Sequence, residues 1–232
     1  DKMKRIIKKL ISIFLLLLLI ISILFIGIGY VNYVKAIDDV SIADKVAEIR
    51  KRPHYVTFDK INENLFTATV AIEDRRFYEH HGVEYRSMLR AAVTNVFAHG
   101  IVGGGSTITQ QLAKNLYFDY QPSYLRKVSE IFVAYDLEKK LRKKEILELY
   151  VNVINYGDNH IGIYEAAHGY FHKEPSELTI DEATLLAGLP QSPSNYQLSN
   201  HYKEARLRQK QVLEAMVDTD VLTSHEMQQL LQ

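Results

Sequence analysis

Between Leu10 and Val34 the chain carries no charged side chain, and only Ser12, Ser22 and Asn32 interrupt the apolar and aromatic run. About 20 apolar residues cover a bilayer core of roughly 30 Å, so the stretch is long enough to span with some tilt. A cleaved signal peptide would carry an apolar core of about 7–15 residues ending at a small-residue site. Here the run continues past Gly27 and Gly29, which favours an uncleaved anchor. Lys2, Lys4, Arg5, Lys8 and Lys9 precede it against the single Asp1. That excess predicts a cytoplasmic N-terminus, with everything beyond the span outside the cell membrane. The chain therefore divides into a basic tail (1–9), a transmembrane anchor (10–34), a charged connector (35–60) around Arg50-Lys51-Arg52-Pro53, and one domain (61–232).

The zero formal charge of the 232 residues hides an asymmetry. Beyond the tail the chain holds 23 basic and 27 acidic residues, a net of −4. Within that acidic remainder, Gly82 to Lys127 carries Arg86, Arg90, Lys114, Arg126 and Lys127 against only Glu84 and Asp119. A basic island in an acidic domain suits a local anionic ligand and argues against a nucleic-acid surface. Cysteine is absent, which removes disulfides and thiol catalysis.

The domain reads as mostly α. Asn64 is the candidate cap of a helix from Leu65 to Tyr78. Val128, Ile131, Phe132 and Tyr135 recur at helical spacing, as do Ile146, Leu149, Tyr150 and Val153. Thr107 with Gln110, Thr179 with Glu182 and Thr223 with Glu226 have the spacing of capping boxes. His54 to Phe58 suggests a short extended piece. Ala91 to Leu116 mixes apolar residues with glycines and runs into Tyr117 and Phe118, the pattern of an apolar, membrane-facing lobe.

Chemistry-bearing residues fall in blocks. Glu73-Asp74-Arg75-Arg76-Phe77-Tyr78-Glu79-His80-His81-Gly82 comes first, then Gly104-Gly105-Ser106-Thr107-Ile108-Thr109-Gln110-Gln111-Leu112-Ala113-Lys114-Asn115, then Arg126-Lys127-Val128-Ser129-Glu130. Lys143, Ile146, Leu147, Glu148, Tyr150 and Asn152 form a further block. Glu182-Ala183, Leu189-Pro190, Pro193 and Tyr196 lead into a last one, with Ala205, Arg208, Val212 and Met216. A helix start behind glycines offers free backbone N–H groups to an anion. In this order the blocks resemble the peptidoglycan glycosyltransferase family, from about Leu65 to the end of the chain. That resemblance implies a lysozyme-like helical domain that polymerises lipid II, the lipid-linked disaccharide of bacterial cell wall.

The resemblance assigns roles. Glu73 is implied as the base that takes the proton of the acceptor's 4-hydroxyl while that oxygen attacks the donor's anomeric carbon. An α-linked lipid phosphate becomes a β-1,4 bond in one inverting step, so no nucleophilic carboxylate is needed. Glu130 corresponds to the family's second carboxylate; it either organises Lys114 and Arg126 or helps hold a divalent cation (Mg or Mn) against the pyrophosphate. Lys114, Arg126 and Lys127, with Arg90, are the candidate cations for that leaving group, and Ser106, Gln110 and Gln111 the neutral donors. Asp74 reads as support for its helix end, and His80 as a turn-stabilising group or a substrate contact. His80 and His81 are adjacent, a poor spacing for two ligands of one metal, so no tightly bound cofactor is expected. Phosphoglycolipids such as moenomycin are implied ligands. The growing glycan strand, the membrane and other wall-synthesis proteins are the implied partners.

Two departures stand out. The family's I-Y-F-G-x-G-x-Y-G is replaced by Ile154-Asn155-Tyr156-Gly157-Asp158-Asn159-His160-Ile161-Gly162, and a basic position is Pro122. No Ser-x-x-Lys transpeptidase motif occurs, so the chain reads as monofunctional. A glycan-cleaving enzyme would not need the basic island, and a wall-binding scaffold would have no use for Glu73, Lys114 and Glu130 together.

Overall fold

The computed structural model describes residues 2–97, 104–118 and 124–231. Part of the apolar stretch before Ser106 lies outside these residues, as do Asp119 and Pro122. The N-terminal run forms one helix, α1 (Lys2–Asp39), exposed as far as Ile28 and long and apolar enough to cross a membrane. From Gly29 onward it packs on α6 (Tyr124–Lys140). The approach is close: a Cβ on Gly29 would lie 2.5 Å from Val128 Cγ1, and Ser129 Oγ donates to the Gly29 carbonyl at 2.9 Å. Phe132 meets Tyr30 edge-on with ring centres 5.3 Å apart, and the Tyr33 hydroxyl donates to Asp136. The apolar repeat of Val128 and Phe132 is therefore a seat for α1. The stripe of α6 that enters the core is one position further round, at Val133, Ala134 and Leu137.

Residues 35–60 are more than a connector. Ser41 caps α2 (Ile42–Arg50), whose Ile42, Val46 and Ile49 recur at helical spacing and are buried in the core. The following segment is not a strand. Instead Asn152, on α7 (Lys143–Val153), takes the place of a pairing strand: its Oδ1 accepts from Val56 N and its Nδ2 donates to Val56 O, both at 2.8 Å. Glu148 accepts the Phe58 amide at 2.7 Å.

Helix α3 (Glu63–Glu73) is capped by Asn62, two residues before the expected cap, and ends five residues before Tyr78. It packs on α9 (Ile180–Gly188) and α11 (Tyr202–Asp218). Helix α5 (Ile108–Tyr117) packs on α6 and α7. The two sets share one core, built from Leu65, Leu112, Leu137, Ile146, Leu149 and Leu186 among others. The capping boxes at Thr107, Thr179 and Thr223 form as the spacing predicts. Helices α8 (Ile163–Phe171), α10 (Pro193–Tyr196) and α12 (Ser224–Leu230) complete the order. The altered loop before α8 closes through an Asn155–Ile161 bridge and a Tyr156 N to His160 O bond of 2.9 Å.

Helix α4 (Tyr85–Phe97) carries an exposed row four residues apart: Tyr85, Leu89, Val93 and Phe97. Side chains at that spacing share one helix face. Of the stretch Ala91–Phe118 read as an apolar lobe, only Val93 and Phe97 of this row belong to it; Ile108, Leu112, Ala113 and Leu116 are instead buried in the core, and Tyr117 and Phe118 are half-buried against it.

Candidate active site

Glu73 is the last residue of α3, and the chain leaves helical geometry at Asp74 (φ −158°, ψ 72°). Asp74 has its own work there. Its Oδ2 accepts the Ile108 amide, the first N–H of α5, at 3.0 Å, and His80 Nε2 stands 2.9 Å away. His80 Nδ1 accepts from the Gly82 amide at 3.2 Å, so the ring's proton sits on Nε2 and points at Asp74. A carboxylate on a helix N-terminus also suits the helix dipole. Asp74 thus pins the end of α3 to the start of α5, and His80 is a turn-stabilising group.

Glu73 faces the other way, with its side chain 11% exposed. Gln111 Nε2 donates to Glu73 Oε2 at 2.7 Å, and the Arg208 guanidinium approaches Oε1 at 3.6 Å. The buried Tyr150 hydroxyl donates to Gln111 Oε1 at 3.1 Å, which turns the amide's NH₂ toward the carboxylate. Burial is the largest influence on Glu73 and pushes its pKa above the usual carboxylate range. The Gln111 hydrogen bond and the charges of Arg208 and Lys114 pull it back, while Asp74 adds to the rise. Burial also holds the Tyr150 hydroxyl far above its ordinary pKa, so it stays a neutral donor.

Glu73 and Gln111 each line a different cleft. One, of about 310 Å³, is lined by Glu73, Arg76, Arg86, Arg90, Gly105 and Ser106. The other, of about 270 Å³, is lined by Gln111, Lys114, Asn155, Pro190 and Ser194. Arg90 reaches the first from α4, with its Nη2 donating to Ser87 Oγ at 3.2 Å. Ser87 belongs to a knot around Glu84, which burial would raise. Hydrogen bonds from the Ser87 hydroxyl and amide, the Arg86 amide and Arg76 bring its pKa instead to about 2.

Ser106 ties the first cleft to α6. Lys127 Nζ donates to Ser106 Oγ at 2.6 Å and to Glu130 at 3.0 Å, and Arg126 Nε donates to the other Glu130 oxygen at 2.8 Å. Lys114 lies within the field of both carboxylates. Burial lowers its pKa, Glu130 resists that, Arg126 and Lys127 reinforce it, and Glu73 resists it again.

Glu73, Gln111 and Lys114 are thus one electrostatic unit, and Ser106, Arg126, Lys127 and Glu130 a second beside it. Arg90 joins them across the first cleft. Gln110 does not. It is fully buried, its Oε1 accepts the Thr107 amide at 3.0 Å, and its position in the cap keeps it off the cleft surface. Among the described residues no group of three His, Asp or Glu side chains could hold a metal ion. Both Glu130 oxygens already face cationic nitrogens. Sequence reasoning placed Arg208 in a motif without a role. Its signal was its place in the stripe Ala205, Val212 and Met216 of α11, where an apolar side chain is the ordinary occupant.

Comparison with known proteins gives the chain's family. A family model described as Transglycosylase matches residues 41–217, which takes in α2 as well as the motif blocks. Penicillin-binding protein 1F of Bacillus subtilis (strain 168) is 37% identical over 220 residues, covering 92% of this chain and 31% of that protein. Penicillin-binding protein 1A of Aquifex aeolicus (strain VF5) is 44% identical over 175 residues, covering 75% of this chain and 24% of that one. Penicillin-binding protein 1A of Neisseria flavescens is 41% identical over 181 residues, covering 78% and 23%. The chain spans less than a third of the length of these relatives. With the family model matching most of its length, the chain belongs to the transglycosylase family.

Proposed function

We propose that the domain polymerises lipid II into β-1,4-linked glycan strands, inverting at the anomeric carbon and releasing undecaprenyl pyrophosphate. The observation that carries this reading is the position of Glu73. It is a largely buried carboxylate that lines one cleft, is aimed by Gln111 of the second cleft, and is flanked by cations. Joining two sugars asks for a base held between a place for each partner, and Glu73 in one cleft, bonded to Gln111 of the other, offers it. Burial raises the affinity of Glu73 for a proton, which strengthens it as a base toward a sugar hydroxyl. Lys114, Arg126 and Lys127 supply charge-assisted donors for the departing pyrophosphate. Glu130 holds Arg126 and Lys127 in place.

The membrane completes the reading. With the tail cytoplasmic, α1 crosses once and leaves the domain on the outer face. The exposed row on α4 then meets the headgroup region where the lipid-linked substrate lies. Lipid II, the growing strand and the bilayer are the partners this requires.

Incubating the purified protein with lipid II and separating products by size tests the proposal. Long glycan is the expected product, and Glu73→Gln should lower the rate by at least about 10²–10⁴-fold while keeping the fold. Turnover by a well-folded Glu73→Gln variant near that of the parent would remove Glu73 from the base's role. Shortening of preformed glycan without polymerisation would point to a cleaving enzyme instead.

A further inference from the structure

Arg208 occupies a position that costs the protein. It is 8% exposed on the apolar stripe of α11, and its Nε is buried with no hydrogen-bond partner among the described residues. Nη1 donates to Gln211 Oε1 at 2.8 Å, and Nη2 lies 3.6 Å from Glu73 Oε1, an ion-pair distance longer than a hydrogen bond. The stem rests on Gly188 of α9, where an added Cβ would lie 2.9 Å from Arg208 Cγ. A methionine or leucine would fill the same stripe without burying a half-satisfied guanidinium, which is expensive to desolvate. Core packing alone does not account for an arginine here. What the arginine alone supplies is a fixed positive charge facing Glu73 from the helix opposite.

We propose that Arg208 is a positioning residue, seated in the core by Gly188, that keeps Glu73 ionised and aimed into the cleft it lines. The proposal deepens, and rests on, the reading of Glu73 as the base. The other groups facing Glu73 are accounted for. Gln111 donates to it from α5, Tyr150 acts through Gln111 from α7, Lys114 adds a more distant positive charge and Asp74 a negative one. Burial and Asp74 favour the protonated acid, and Arg208 opposes it next after the Gln111 hydrogen bond. The sign follows. A neighbouring cation favours the carboxylate, so its loss raises the Glu73 pKa and demands higher pH before the base is ready.

The test is the pH dependence of kcat/KM on lipid II for the parent chain, Arg208→Met, Arg208→Lys and Gly188→Ala, with folding checked by circular dichroism and melting. Arg208→Met should move the acid limb upward by about one to two pH units, so that activity returns at alkaline pH. Arg208→Lys should restore most of the parent profile. Gly188→Ala keeps every charge but displaces the arginine stem, and should move the limb in the same direction by less. Met in the stripe should leave the melting temperature unchanged or raised. An equal fall in activity at all pH values, with the limb unmoved, would overturn the proposal. If Arg208→Met does not fold, Arg208→Lys and Gly188→Ala decide by the same limb. A parent protein that fails to polymerise lipid II would sink the proposed function by itself. Titration of the labelled Glu73 carboxyl by NMR still reads the Arg208 effect in that case, and an unmoved midpoint in the variants rejects it.

Discussion

Gln111 can donate to Glu73 only while its amide faces one way, and the Tyr150 hydroxyl is what holds it there. Replacing Tyr150 with Phe leaves the buried ring and its packing but frees the amide to turn its oxygen toward the carboxylate. One such hydrogen bond is worth about 0.5–1.5 kcal/mol net. Tyr150→Phe should therefore slow polymerisation by roughly two- to tenfold with little change in melting temperature, which steady-state rates on lipid II and a thermal melt together check. An unchanged rate would mean that Gln111 is oriented by its packing alone. This residue-scale chain was only half legible. Glu73, Gln111 and Tyr150 each stood in a motif block, yet nothing in their spacing said that Tyr150 acts on Glu73 through Gln111. That link comes from α3, α5 and α7 meeting in space. The cap was legible and its consequence was not: Thr107 and Gln110 announced a capping box, and the same geometry takes Gln110 off the cleft.

At the scale of elements, local signals held where they depended on near neighbours and slipped where a distant partner decided. The boxes at Thr179 and Thr223 lie within one turn and form as spaced. Helix α3 stops at Glu73 because Asp74 is claimed by the α5 amide and by His80, a tertiary demand that its own apolar pattern could not show. The apolar repeat on α6 was visible, but not that its Val128 edge serves α1. The start of α5 is where such local order bears on the site. Thr107 Oγ1 accepts the Gln110 amide at 3.1 Å and donates to the Gly82 carbonyl at 2.6 Å, joining the cap to the turn that follows His80. Thr107→Ala removes both and should cost about 1–2 kcal/mol of unfolding free energy. Because Ser106 and Gln111 flank that cap, the rate should fall as well. Chemical denaturation and initial rates read the two effects. Full stability with full activity would show that Asp74 alone fixes this helix start.

For the molecule as a whole, α1 has two duties that a simple truncation confuses. Residues 10–28 give about 28 Å of helix at 1.5 Å per residue, already close to the roughly 30 Å bilayer core. The remainder, from Gly29, is docked on α6 through Val128, Ser129, Phe132 and Asp136. The same α6 carries Arg126, Lys127 and Glu130 on its first turns. Removing residues 1–34 therefore strips both the span and the seat of a helix that builds the site. Removing residues 1–24 takes most of the span but keeps the docked segment. On liposomal lipid II both truncations should be slower than the parent, because each loses confinement to the substrate's surface, an effect of local concentration. In detergent, with a short-chain soluble analogue of lipid II, that advantage vanishes for all three proteins. There the 1–24 deletion should match the parent. The 1–34 deletion should stay slower and melt earlier, since Val128 and Phe132 are bared and α6 loses its brace. Initial rates at matched concentration, with melting curves, separate the two duties. Identical behaviour of both truncations in detergent would show that the docked segment adds nothing to the site and that α1 serves only to hold the protein at the membrane.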